Sequence, residues 1–555
     1  MTTLGTANSV DVAGRAARLV AELAAEPWGR VSPSVYETGR LVTLAPWLTG
    51  HGERIGYLTG AQRADGGWGG PGGYALVPTL SAVEALLSES RRPGSPHAGA
   101  VAGAVHRGLE TVFGYLRGPR AMTAAELPDM PAIELIVSSL TARINAHLAA
   151  LAEDPAPAAG LGRWAGAGPL EPPPGVDASG VLAALRARLA AGEPVPEKLL
   201  HALEVAGEAA AGAAGAPLTP IGSVGASPAA TAAWLAGRGP AEPRHPARRH
   251  LESVVRRHGG PVPCGIPVTL FERGWVLSTL ARAGVPLRVP EHLRWSLGAA
   301  CDPLGTPAGP GLPPDADTTS VALYALALLG LPYEPASLWP YEMETHFCTW
   351  PGEQGQSLTV NAHVLDAFGR YAAVAPDAAP RYRAAMAKVA GWLRERQAAD
   401  GSWADRWHAS PYYATACCAL ALAEYGGAAS RPAVAAAVRW VLETQREDGS
   451  WGRWSGTREE TAYAMQVLLL TGAPAPRNAA AARRGYAYLM ETALMETALM
   501  DTASMDTASM ETAPKGTVGV LQDPPLWHDK DLYAPSAIVG AAVLSAIHAA
   551  RRNRL

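Results

Sequence analysis

Residues 313–320 read Pro-Pro-Asp-Ala-Asp-Thr-Thr-Ser and lead straight into an apolar run, 320–330. Asp315 and Asp317 stand one residue apart beside that run. Two such carboxylates repel, so at least one is expected to hold its proton to high pH and to serve as a general acid. A helix N-terminus opposes this by favouring the anion, and an Asp/Thr helix cap is the alternative reading of the same residues. Trp407, Tyr412 and Tyr413 lie beside the turn at Pro411 and could turn electron-rich faces to a cation; packing in a core is the alternative. Asn361 and His363, in the segment 359–369 (TVNAHVLDAFG), could bond the aspartates or accept a proton, with ordinary packing as the alternative.

The elements that must position these groups read as helices. The stretches 320–330, 412–426 and 461–472 are Ala- and Leu-rich, lack β-branched alternation and end in Gly. Gly/Pro-rich loops separate them, the rhythm of an all-α protein of paired helices. A repeat, Q-x-x-D-G-(S/G)-W, runs beneath: Gln62–Asp65–Trp68, Gln397–Asp400–Trp403 and Gln445–Asp448–Trp451, with Tyr57, Trp392 and Trp440 five residues before each Gln. Gln can bond free backbone groups at a helix end, Asp-Gly makes the turn and Trp packs over it, so the repeats are expected to be clamps without chemistry. Asp317 follows Trp295 by 22 residues and Glu460 follows Trp440 by 20, which puts the acidic pair where an inner helix begins, at a barrel mouth. Residues 154–177 are Pro/Gly/Ala-rich and expected to be a mobile surface loop. Residues 490–512 repeat Met every five positions; on a helix, successive side chains land about 140° apart, so no apolar stripe forms and a surface insertion is expected.

With 46 Lys+Arg against 50 Asp+Glu the 555-residue chain carries a formal charge of −4 and has no basic block, which excludes nucleic acid as the main partner. Hydrophobic residues at 48% and charged residues at 17% exclude disorder for most of the length, and the length predicts two or more domains. The five Cys form neither a CxxC nor a disulfide framework. With no signal peptide and no apolar run of spanning length, the expectation is a cytoplasmic protein without a transmembrane anchor.

The repeats and the D-x-D-T-T motif together resemble class II terpene cyclases, which start cyclisation of prenyl diphosphates by protonation. The resemblance extends over nearly the whole chain: 32–38 (SPSVYET), 127–136 (LPDMPAIELI), 222–232 (GSVGASPAATA), 266–275 (IPVTLFERGW), 405–415 (DRWHASPYYAT), 459–464 (EETAYA) and 526–535 (LWHDKDLYAP) have counterparts, in order and spacing, in bacterial labdane-type diterpene cyclases. It implies that Asp317 is the proton donor and Asp315 its partner. The family's D-x-D-D motif has Asp where Thr318 stands here, a departure closer to the D-x-D-T-T subgroup that includes halimadienyl (tuberculosinyl) diphosphate synthases. The chain has no Asp-Asp dipeptide, hence no D-D-x-x-D motif of the ionising class I enzymes, and the product is expected to keep its diphosphate for a downstream class I synthase or phosphatase.

For the diphosphate end the resemblance implies Mg²⁺, with Glu134 the first choice of ligand and Asp129 and Glu126 next. Lys530, between Trp527 and Tyr533, is the expected diphosphate clamp, followed by Arg30. The implied fold is two α/α double barrels: a γ domain (46–284) inserted between an N-terminal segment (1–45) and the rest of the β domain (285–555). Three functions compete: cyclisation of geranylgeranyl diphosphate to a labdane- or halimane-type bicycle, the same chemistry on farnesyl diphosphate to a drimenyl-type product, and a non-catalytic α/α-barrel binding module.

Overall fold

The computed structural model describes residues 10–555 apart from 155–159, 237, 240, 241, 354, 378, 473, 474 and 507–522. Ala, Leu and Arg dominate its helices, residues that lose little side-chain freedom there. Asp11, Ser34, Ser227, Ser357, Ser410 and Thr457 each start one by accepting a first-turn backbone N–H. The first half of the chain forms α1 (Val12–Ala25), α2 (Val35–Leu44), α3 (His51–Gly60), α4 (Leu76–Ser90), α5 (Ala98–Arg117), α6 (Ile133–Glu153), α7 (Ser179–Ala190), α8 (Glu197–Leu200), α9 (Pro228–Leu235) and α10 (Pro246–His258). Here α2, α4, α6, the 3₁₀ segment Leu203–Ala210 and α9 pack in succession, and α9 returns to α2. That closed inner ring, with α3, α5, α7 and α10 outside it, is the γ domain.

The second half forms α11 (Thr269–Arg282), α12 (Glu291–Ala299), α13 (Ala316–Leu328), α14 (Leu358–Val374), α15 (Ala379–Glu395), α16 (Pro411–Tyr425), α17 (Arg431–Glu443), α18 (Arg458–Leu470), α19 (Pro476–Asp506) and α20 (Ser536–Arg552). Six of these, α11, α13, α14, α16, α18 and α20, contact one another in turn, and α20 closes on α11. Outside this ring α12, α15, α17 and α19 bridge neighbouring inner helices, and α1 fills the gap between α20 and α11. Two antiparallel hairpins break the helical pattern: β1 (Thr306–Pro307) with β2 (Pro314–Asp315), and β3 (Trp527–His528) with β4 (Leu532–Tyr533).

The domain boundaries move from those expected. Val12, Leu19 and Leu23 of α1 lie in the β-domain core, but Val35, Tyr36 and Val42 of α2 lie in the γ core. Trp275, Leu277 and Leu280 place α11 in the β domain, so the chain returns to it before residue 269 rather than at 285. The apolar period of α11 could not reveal which of two cores it faces.

The repeats are clamps of one design. In each copy the Gln Nε2 donates to the Gly carbonyl of its own turn and to the first third of the next outer helix: Gln397 to Gly401 and Ala433 at 2.8 Å each, Gln445 to Gly449 at 2.8 Å and Ala481 at 2.9 Å, Gln62 to Gly66 and Ala104 at 2.9 Å each. The Trp indole donates back to the preceding outer helix (Trp403 to Leu393 at 2.8 Å), and its backbone N–H reaches a Thr on the inner helix (Thr415 at 3.0 Å). Gly401 sits at φ +97°, and a Cβ there would come within 2.6 Å of the Ala436 carbonyl, so the turn requires glycine.

Of the 154–177 segment, residues 155–159 lie outside the described residues. The rest is anchored, with Leu161 and Leu170 buried and Trp164 stacked on Phe113, so the expected mobile loop is a packed one. In the Met repeat, α19 continues to Asp506, with Leu489 and Ala493 buried; 507–512 lie outside the described residues. One described helix, α6, has the length and hydropathy of a membrane span, which the sequence was not expected to contain, but half of that stretch is buried in the γ core.

Candidate active site

The β1–β2 hairpin delivers Asp315 to the start of α13, where it caps the helix: Oδ1 accepts from Thr318 N at 2.6 Å and Oδ2 from Thr318 Oγ1 at 2.9 Å. Thr319 locks the hairpin, donating from Oγ1 to the Asp315 carbonyl at 2.5 Å and accepting from Thr306 N at 2.8 Å. The cap reading of the motif falls to one of the two aspartates. Asp315 is the cap, and Asp317, one step into the helix, faces the cavity. Burial and the neighbouring charge of Asp317 push the Asp315 carboxyl up to about 7, against the bonds from Thr318. Asp315 thus keeps its proton to about neutral pH.

His363 of α14 meets Asp317, Nδ1 to Oδ1, at 2.6 Å. Burial pulls the imidazole down, but the Asp317 charge and hydrogen bond, with Cys417 beside it, hold it well above its ordinary value. Beyond His363 the barrel bore continues as a cavity of about 60 Å³ between Cys417, Asp366, Arg282 and Gln466. That is room for about two waters.

The aspartates open into a cavity of about 410 Å³, the size of a small-molecule site. The β domain supplies Asp315, Asp317, Phe271, Trp275, Tyr413 and Trp527 to it, and the γ domain Pro131, Ala132, Lys198 and His201. The aromatic wall is tightly built: Trp275 Nε1 donates to Tyr413 OH at 2.8 Å, Phe271 lies 4.4 Å from Trp275, and Trp527 lies 4.7 Å from Tyr413 between ring centroids. Near Arg406 the lining changes. The donor-only groups Arg406 Nε, Trp350 Nε1 and Trp407 Nε1 are buried with no hydrogen-bond partner among the described residues, an arrangement that native interiors rarely leave unexplained.

The chain is similar to known proteins over nearly its whole length. A family model described as the squalene-hopene cyclase C-terminal domain matches residues 354–507. An ent-copalyl diphosphate synthase of a Streptomyces species is 41% identical over 542 residues, 96% of this chain and 95% of its own. The labda-7,13-dienyl diphosphate synthase of Streptomyces clavuligerus is 40% identical over 545 residues, 96% of this chain and 92% of its own. The solved structure of ent-copalyl diphosphate synthase from Streptomyces platensis is 43% identical with a TM-score of 0.87, covering 98% of this chain and all of that one. This chain is a bacterial class II labdane-type diterpene cyclase.

Several expected site residues of the cyclase are engaged elsewhere. The Asn361 amide is wholly occupied by backbone, accepting from Phe347 N at 2.9 Å and donating to Phe347 O at 2.9 Å and Ser357 O at 2.8 Å, so it does not bond the aspartates. Tyr412 packs on Trp440, 4.6 Å between centroids, and faces α17 instead of the cavity. Trp407 does line the cavity, but the Arg406 guanidinium already lies 5.2 Å from its ring centroid, which disfavours a second cation on it. Lys530 is fully buried; its Nζ pairs with Glu37 and with Glu204 at 2.9 Å and donates to Ser227 Oγ and the His201 carbonyl at 2.8 Å each. No donor is left for a diphosphate. Arg30 pairs with Glu22 at 2.6 Å away from the cavity.

The expected magnesium ligands do not converge. Glu126 caps its own turn through Thr123, Asp129 pairs with Arg406 at 3.1 Å, and Glu134 is exposed in the first turn of α6. Among the described residues no three His, Cys, Asp or Glu side chains gather as a metal site. The residues present do not fit a protein-held metal ion. Sequence reasoning assigned no role to Trp275, Phe271, Trp527, Lys198 or Arg406. Phe271 and Trp275 carried a signal, an aromatic pair at i, i+4 on one helix face; Lys198, in the short helix α8, carried none.

Proposed function

We propose that this cyclase acts on geranylgeranyl diphosphate and forms a bicyclic labdane-type diphosphate. The observation that carries the reading is the pairing of Asp317 with His363 at 2.6 Å in a cavity walled by Trp275, Tyr413 and Trp527. Protonating an alkene needs a neutral carboxylic acid made strong and kept from water. The hydrocarbon chain fills the cavity, removes water from Asp317 and favours its neutral form, and His363 supports the charge that appears when the proton leaves Oδ2 for the terminal alkene. The tertiary cations formed by the two ring closures meet aromatic faces that cannot trap them. The last cation loses a proton from a neighbouring carbon to water, which forms the product alkene; Asp317 recovers its proton from His363 Nδ1, and His363 regains one through water in the small cavity behind it, so one proton enters and one leaves in each turnover.

The unpartnered N–H groups of Arg406, Trp350 and Trp407, together with Lys198, suit the diphosphate, which no D-D-x-x-D motif is present to ionise. Magnesium enters this reading as a counter-ion brought with the substrate's diphosphate. Incubation with geranylgeranyl and with farnesyl diphosphate, followed by dephosphorylation and mass spectrometry, tests the assignment. A bicyclic C20 alcohol of labdane skeleton is expected; a halimane or a drimenyl alcohol as main product would replace it.

Two kinetic results follow from the geometry. In Asp315→Asn, turnover at pH 7 is expected to fall about 10²-fold. Because Asp315 keeps its proton to about pH 7, the falling limb of the pH–rate profile also moves to lower pH; an unchanged limb would contradict that account. Lys198 is exposed at the cavity edge with no ion pair among the described residues. Lys198→Gln is expected to raise KM about tenfold, the loss of about 1.4 kcal/mol, with kcat within about twofold.

A further inference from the structure

Glu459, in the first turn of α18, is 2% exposed and lies directly behind the aromatic wall. Three donors meet on its Oε1: Trp527 Nε1 at 2.8 Å, Tyr463 OH at 3.2 Å and His408 Nε2 at 3.3 Å. An oxygen accepting three such bonds is that of a carboxylate. His408 Nδ1 lies 3.0 Å from the Ser410 backbone N and 3.2 Å from its carbonyl, which orients the ring so that Nε2 faces Glu459. Among the described residues no Lys or Arg forms an ion pair with Glu459. Its carboxylate is therefore held by these three ring donors and the N-terminus of α18.

The rings that hold Glu459 are the wall of the cavity or its immediate backing. Trp527 and Tyr413 line the cavity, and His408 and Tyr463 lie 4.8 and 5.2 Å from Tyr413 between centroids. An indole that donates to an anion becomes richer in π density. The anion also attracts positive charge on the far side of the ring, strongly so where water is excluded. A carboxylate touching a carbocation would be alkylated or would take its proton. One ring back, it supplies the charge without reacting.

We infer that Glu459 is a positioning residue of the cyclisation: acting through Trp527 and the Tyr413 cluster, it holds the carbocation at the wall until both rings have closed. The inference rests on the proton-initiated reading of the site, and its test is built to fail separately.

Glu459→Gln keeps size and an acceptor for Trp527 but removes the charge. Turnover is expected to fall about tenfold, with KM within about twofold, and monocyclic or water-quenched alcohols should appear beside the bicycle. In Trp527→Phe, which keeps a ring but loses the N–H, adding Glu459→Gln should cost no more than about threefold, because both changes cut one interaction. A binding arm needs no turnover. Wild type should bind a prenyl diphosphate analogue carrying an ammonium nitrogen at the cation position about tenfold more tightly than its neutral carbon isostere. Glu459→Gln should lose that preference, and Glu459→Asp, which retains the charge, should keep most of it. Normal turnover with a single product in Glu459→Gln, additive effects in the double variant, or equal loss of affinity for both analogues would each overturn the assignment and leave Glu459 a packing residue. A wild-type enzyme that preferred the ammonium analogue but made no C20 bicycle would instead overturn the substrate reading alone.

Discussion

Asp317→Asn is expected to lower turnover about 10⁴-fold or more, the upper range of what general acid catalysis supplies, while the protein folds and binds prenyl diphosphate as before. The amide preserves the size of the side chain, and its oxygen can still accept from His363 Nδ1, now 2.6 Å from Asp317 Oδ1. What it lacks is a proton acidic enough for an alkene. No second acid stands ready. Asp315 lines the same cavity, but both its oxygens are engaged by Thr318, so its proton has no free oxygen aimed at substrate. The measurement is product formed per enzyme, with circular dichroism for the fold and equilibrium binding of unreacted geranylgeranyl diphosphate. Near-normal turnover would remove Asp317 from the role of acid; lost turnover together with lost binding would make it a binding group.

What could be read from the sequence was whatever local spacing alone enforces. The D-x-D-T-T run is one helix start, so the cap, the cavity-facing aspartate and the anchoring threonines are fixed within five residues. The Gln-to-Trp repeat is likewise one turn, whose clamp is the same wherever it occurs. Misreadings arose where neither the helix face nor the partner follows from local spacing. Asn361 and Tyr412 stand beside motif residues, yet each faces away from the cavity, because neighbours on a helix point about 100° apart. Lys530 between two aromatics resembled a clamp for an anion, and it is one, but its anions, Glu37 and Glu204, are the protein's own and lie more than 300 residues away. The domain boundaries failed for the same reason: α11 and α2 have apolar faces suited to either core, and only the closure of each ring decides.

Lys530→Met tests the largest of those corrections and is expected to destabilise the protein by about 3–5 kcal/mol, the cost of leaving a buried charge without its partner. Lys530 sits on the loop between β3 and β4 and joins the β domain to Glu37 of α2 and to Glu204 of the γ ring. Tyr36 OH donates to Glu204 at 2.7 Å and Ala229 N to Glu37 at 2.7 Å. Removing the ammonium leaves two buried carboxylates facing each other. Even with Lys530 present, burial and the Glu204 charge hold the Glu37 carboxyl up at about 7, above its ordinary 4.5. In the variant it must rise further, since the opposing pull of Lys530 is gone. A carboxyl whose folded value is raised contributes stability below its unfolded value and loses it as pH rises through the folded one. The defect should therefore be largest near pH 8 and shrink toward pH 5, where Glu37 holds its proton. Denaturant midpoints of wild type and variant across that range measure it, and adding Glu37→Gln and Glu204→Gln should recover most of the loss at pH 8. If Lys530→Met instead kept wild-type stability at every pH and raised KM for the prenyl diphosphate, the lysine would be the diphosphate ligand that its place between Trp527 and Tyr533 first suggested, and the buried cluster would have to open when substrate binds.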